Sequence, residues 1–163
     1  MLRVAFWVGA FAALLGCGPN EAPDTSDSAR ETVVYPPVVG MKQFMVWVLD
    51  PAADAIWESA GFVMTAQGER SLAPTTKPGW LRVEKGAVLV AESGNLLRLP
   101  GRAAGPDWIE SAKALVDAGR EALLAAQKRD ADALFDAGGE VYQACRSCHD
   151  RYMEKSGGAR NGP

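Results

Sequence analysis

Residues 142–152 read YQACRSCHDRY, and within five positions they hold Cys145, Cys148 and His149, the last being the chain's one histidine. Cys-x-x-Cys-His is the pattern of covalent haem attachment, in which two cysteines form thioethers to the porphyrin and the adjacent imidazole takes the iron. Spacings of three and four put all three side chains on one side of a helix, where they can address a single planar ligand. Competing chemistries are poorly supplied. A zinc site needs four protein ligands, or three and a water, and neither a second histidine nor a spare cysteine is near. A redox dithiol belongs at a helix N-terminus after a strand, whereas this pair lies deep in a C-terminal helical pattern.

The elements that must position the motif are predicted to be helices. From about residue 38 to 155 the chain shows apolar positions at helical spacing, punctuated by Pro and Gly, with no convincing period-two strand. The first stretch, 38–66, places Met41, Met45, Val48, Ala52, Ile56 and Val63 on one face. Asp50-Pro51 in its middle reads as an N-cap followed by proline at the first helical position, giving a kink or two helices sharing a direction. Residues 68–79 read as a loop. A second helix opens at Trp80 with the stripe Val83, Ala87, Val90, Gly94 and Leu97, and ends at Pro100-Gly101. A third starts with Asp107 as its N-cap and carries Trp108, Ala112, Leu115, Gly119 and Leu123. After a break at Lys128–Asp130, the fourth has Leu134, Gly138, Val141, Cys145, Cys148 and Tyr152 as its seam. The expected fold is all-α, an antiparallel four-helix bundle with haem on the C-terminal helix, a size of core that profits from a covalent cofactor. The small residues Gly94, Gly119, Gly138, Ala87 and Ala112 would seat either a flat macrocycle or a closely packed neighbouring helix.

The N-terminal region reads as an address. Residues 1–16, MLRVAFWVGAFAALLG, carry one charge, Arg3, before an apolar run too short to span a bilayer comfortably, as in an export signal. Leu14-Leu15-Gly16-Cys17 resembles the lipobox of bacterial lipoproteins, which implies cleavage before Cys17 and acylation of that cysteine. Residues 17–37 then form a tether rich in Pro, Ser, Asp, Glu and Thr, with little to bury. Domain boundaries are therefore expected at 1–16, 17–37, 38–155 and a tail at 156–163. Loss of the signal removes Arg3 and moves the formal net charge from −3 to about −4, with no basic patch, which argues against nucleic acid as a partner. Export also suits the cysteine usage, since haem and lipid would consume every thiol in an oxidising compartment.

A lone Cys145-x-x-Cys148-His149 near the C-terminus of an exported helical chain, followed by the aromatic Tyr152, resembles the class II c-type cytochromes, the group of cytochrome c′ and its low-spin, methionine-ligated relatives. The resemblance covers about residues 38–155. It implies haem c held by Cys145 and Cys148, with His149 as proximal iron ligand. One departure is Met153, where family members often carry a basic residue. No second acid-base or nucleophile constellation is present, the carboxylates Glu84, Glu92 and Glu110 reading as solvated helix faces, so catalysis is not expected. The job then turns on the sixth iron position. If it is filled, single-electron transfer with periplasmic redox proteins follows. If it is open, the protein would bind nitric oxide or carbon monoxide. Outside the signal the methionines are Met41, Met45, Met64 and Met153. Met153 shares a helix with His149 and cannot reach the opposite haem face, and Met64 lies near the end of the first stretch. Met41 and Met45 lie in the N-terminal helix, where ligated relatives carry their methionine. Met45, further inside that helix, is the expected ligand and Met41 the second choice. The expected location is the periplasm, anchored by lipid at Cys17; Gly18 lacks the aspartate that often retains lipoproteins in the inner membrane, so the resemblance to lipoproteins implies the outer membrane. A homodimer is left open.

Overall fold

The computed structural model describes residues 35–157. The signal segment, Cys17, nearly all of the tether and the last six residues lie outside the described residues. Helix dominates, in four stretches, with one short hairpin between the first and second.

The first stretch is helical from Met41 to Trp57, but it is made of three pieces: α1 (Met41–Phe44), a π-helical turn (Met45–Leu49) and α2 (Asp50–Trp57). Pro51 causes the change of pitch. It has no N–H to offer the carbonyl one turn back, and its ring crowds that carbonyl, so the preceding turn widens. The Asp50 N–H accordingly donates to the Met45 carbonyl, five residues back. Asp50 is thus helical and no cap, and the helical stretch changes pitch through a π turn just before Asp50-Pro51, where a kink or two helices sharing a direction were expected.

The first stretch also ends earlier than its apolar pattern implies. After Trp57 the chain turns at Gly61, whose φ of +86° suits glycine, and Val63 and Met64 fall in β1 (Phe62–Thr65), not in a helix. β1 pairs antiparallel with β2 (Gly68–Ser71), in the register Phe62 to Ser71 and Thr65 to Gly68. The Thr65 hydroxyl donates to the Gly68 carbonyl at 2.8 Å and accepts from the Gln67 N–H at 3.2 Å, closing the two-residue turn. The strict all-α expectation is corrected by this hairpin, and the expected loop at 68–79 begins with a strand.

α3 (Lys77–Leu97) starts three residues before Trp80, where the Thr76 hydroxyl accepts from the Gly79 N–H at 3.2 Å and caps the helix. α4 (Pro106–Lys128) is entered through Gly105 at φ +107°, with Pro106 at the first helical position. Asp107 therefore lies inside the first turn instead of capping it, and its carboxylate meets the Arg151 guanidinium at 2.7 Å. Arg129, at φ +55°, ends α4, and the Asp130 carboxylate accepts from the Ala133 N–H at 3.0 Å to start α5 (Ala131–Gly157).

Most positions of the predicted inner stripes of the last three helices are buried. Val83, Ala87 and Val90 of α3, Ala112 and Leu115 of α4, and Leu134 and Val141 of α5 join Ile56 of α2 in one core. Glycines let helices in that core close up. A Cβ on Gly119 would stand 2.7 Å from the Ala91 nitrogen, one on Gly94 would stand 2.8 Å from the Ala112 carbonyl oxygen, and one on Gly86 would stand 2.6 Å from the Ala52 carbonyl oxygen. Gly94 and Gly119 thus serve the contact between α3 and α4, not the seating of a flat ligand. No described helix is long and apolar enough to cross a membrane.

Candidate functional site

α5 carries Cys145, Cys148 and His149 on the side that faces the other helices. Both thiols are half-buried and unpaired by any disulfide, whereas His149 is exposed. All three border a cavity of about 360 Å³, within the range of ligand pockets. Its opposite wall comes from the first helical stretch: Met45, Leu49, Ala53 and Trp57. These residues are spaced by four. In an α-helix each such step overshoots a full turn by about 40°, and the wider π turn between Met45 and Leu49 takes part of that drift back, which keeps the four in line. Leu97 of α3 and Trp108, Ala112 and Leu115 of α4 complete the apolar lining.

Two tryptophans are fixed as walls. The Trp108 indole donates to the Leu97 carbonyl at 2.8 Å, and the Trp57 indole donates to the Gly138 carbonyl at 2.9 Å. Each hydrogen bond satisfies the ring's single donor and ties two helices together. Tyr152, the aromatic after the motif, stands edge-on to Trp108 with centroids 4.9 Å apart. Together with the Arg151–Asp107 ion pair, it holds the motif's end of α5 against the start of α4.

The mouth is polar. Asp50, Arg146 and Asp150 border it, with Arg146 Nε 3.2 Å from Asp150 Oδ2 on the exposed face of α5. Burial pushes the Cys145 thiol up to about 11, helped by the neighbouring Cys148 thiol and the Asp50 carboxylate. Burial also raises Cys148, opposed by the Arg151 guanidinium. Both thiols are therefore neutral and poorly nucleophilic at neutral pH, unlike those of a redox dithiol. Among the described residues, neither ring nitrogen of His149 has a hydrogen-bond partner, and no three His, Cys, Asp or Glu side chains gather as the ligand set of a metal ion would. A macrocycle that brings four nitrogens of its own asks for less: two thiols, one imidazole and an apolar slot, which is the donor set present here.

The methionines separate cleanly. Met45 borders the cavity. Met41, one turn earlier, is half-buried against the core but lines no part of that cavity. Met64 lies exposed on β1 and Met153 exposed on α5. Trp57, Leu49, Ala53 and Tyr142 also border the cavity and were not singled out from the sequence. The four-residue spacing from Met45 to Trp57 is the signal that could have found three of them. Comparison with family models, with curated proteins and with solved structures finds no match.

Proposed function

We propose that the protein is a periplasmic c-type cytochrome that transfers single electrons, an antiparallel four-helix bundle with haem c on its C-terminal helix and a lipid anchor at Cys17. The observation that carries this reading is the sharing of one apolar cavity by the Cys145, Cys148 and His149 side chains and, from the facing helical stretch, by Met45. Short connections between α3, α4 and α5 support the bundle, because neighbouring helices joined by a few residues must run in opposite directions.

Haem, when bound, supplies reversible one-electron chemistry at its iron. Cys145 and Cys148 would hold it covalently to α5, so that it would not be lost in a compartment that offers none in exchange. His149, on the same helix, would ligate the iron, since among the described residues no other group holds its ring. Met45, which borders the same cavity, would offer a thioether to the iron, a ligand that raises the reduction potential relative to an open site. Leu97, Trp108 and Leu115 line the cavity with apolar surface, which would lower the dielectric around the group. The position of Met45 favours the carrier over a five-coordinate site for nitric oxide or carbon monoxide. The tether of residues 17–37 would let the anchored domain search for redox partners.

Absorption spectra of the purified protein, oxidised and reduced, test this. The carrier reading expects covalent haem with a weak long-wavelength sulfur-to-iron band in the oxidised form. Rapid binding of carbon monoxide by the reduced, unmutated protein would replace it with the gas-binding reading.

A further inference from the structure

α5 borders a second concavity, on the far side of Trp57 and Tyr142 from the cavity just described. Along this face run Phe135, Gly138, Gly139 and Tyr142, so two aromatic side chains stand about 10 Å apart along the helix, with bare backbone between them. Trp57 forms a third wall, its ring at 69° to that of Tyr142 with centroids 6.5 Å apart. With Ala60 and Asp136 they enclose a groove of about 400 Å³.

The two glycines of the floor differ from Gly94 and Gly119. A Cβ on Gly139 would meet nothing within 4 Å, and one on Gly138 would meet side-chain atoms only at 3.5 Å or beyond. Helix packing therefore does not require them, although glycine is disfavoured in mid-helix relative to alanine. Their effect is to leave the floor open. The rings are available too: Phe135 is 57% exposed and Tyr142 49%.

The chemistry of the walls selects for charge. Aromatic faces carry negative quadrupole potential and attract cations. Asp136 borders the groove and also a neighbouring hollow lined by Lys128 and Glu140, and among the described residues its carboxylate has neither ion pair nor hydrogen bond. Asp132 and Glu140, one turn to either side, are exposed and equally unpaired. Apart from the Asp136 carboxylate, acceptors for an N–H donor are scarce, because the Gly138 carbonyl already takes the Trp57 indole. A cation that presents methyl groups instead of N–H donors fits such walls best.

We propose that this groove binds a small methylated ammonium cation of the choline class, free in solution. The proposal does not depend on haem, since Phe135, Asp136, Gly138 and Gly139 do not border the first cavity. It is tested by titrating the purified protein calorimetrically with choline and with 3,3-dimethylbutan-1-ol, its neutral isostere. Choline should bind saturably and the alcohol at least about tenfold more weakly. Phe135→Leu keeps apolar bulk but removes the ring, and Asp136→Asn removes the charge; both positions are exposed, so the fold should persist, as thermal melting will verify. Each should weaken choline binding several-fold. Equal binding of the neutral isostere, an unchanged choline affinity in Phe135→Leu, or no choline binding at millimolar concentration would overturn the proposal, and none of these outcomes touches the haem reading.

Discussion

Met45 and His149 stand more than a hundred residues apart in the chain and border one cavity from facing helices. Among the described residues of that lining, only two others, Cys145 and Cys148, bear sulfur. If Met45 is the sixth ligand, Met45→Ala should abolish the long-wavelength band of the oxidised protein and open the reduced iron to carbon monoxide. Met41→Ala, on the same helix but off the cavity, should leave both unchanged. Absorption spectroscopy with carbon monoxide titration measures the pair of variants.

The proposed covalent links are tested separately. Replacing Cys145 and Cys148 together by alanine should eliminate haem staining after denaturing electrophoresis. Staining that survives in the double variant would contradict attachment at this motif.

The raised Cys145 thiol gives a pH dependence in protein made without haem. Because its folded value, about 11, lies above the ordinary 9.0, the fold favours the protonated thiol. That contribution to stability is fully present below pH 9 and is lost as the pH rises through 11. Alkylation of Cys145 by iodoacetamide, followed by peptide mass spectrometry, should stay slow at pH 9 and accelerate only near 11. A midpoint near 9 would show that the thiol is not buried as described.

Helix packing can be probed at two glycines of opposite character. Gly119→Ala would force a methyl against the Ala91 backbone and should cost about 1–3 kcal/mol. Gly139→Ala meets nothing and should stabilise by about 0.5–1 kcal/mol through helix propensity. Urea unfolding followed by circular dichroism measures both.

Cys17→Ser should release the protein into the soluble periplasmic fraction, since several acyl chains on one residue anchor firmly where one does not. Wild-type protein that is already soluble, with no lipid by mass spectrometry, would exclude the anchor.

The sequence by itself determined most of the helices and the placing of Cys145, Cys148 and His149 on the last of them. The stripes from Val83 to Leu97 and from Leu134 to Tyr152 were legible because a period of 3.6 residues forces apolar positions onto one face, whatever that face packs against. The motif was legible because its three members are neighbours in the chain. Where a stretch is short, that signal fades: Phe62-Val63-Met64 continues an apolar run that periodicity cannot assign to helix or strand, and the positive φ at Gly61 resolved it. Tertiary structure alone decided which partners meet. It set Met45 rather than Met41 against the cavity, through a π turn imposed by Pro51. It spent Gly94 and Gly119 on the approach of α3 to α4, while Gly138 and Gly139 kept an open floor. It also joined Trp57 to Gly138 across 81 positions of chain. Spacing along one helix is written in the local order of residues; which face another helix presents depends on the packing of the whole core, and no local pattern records it.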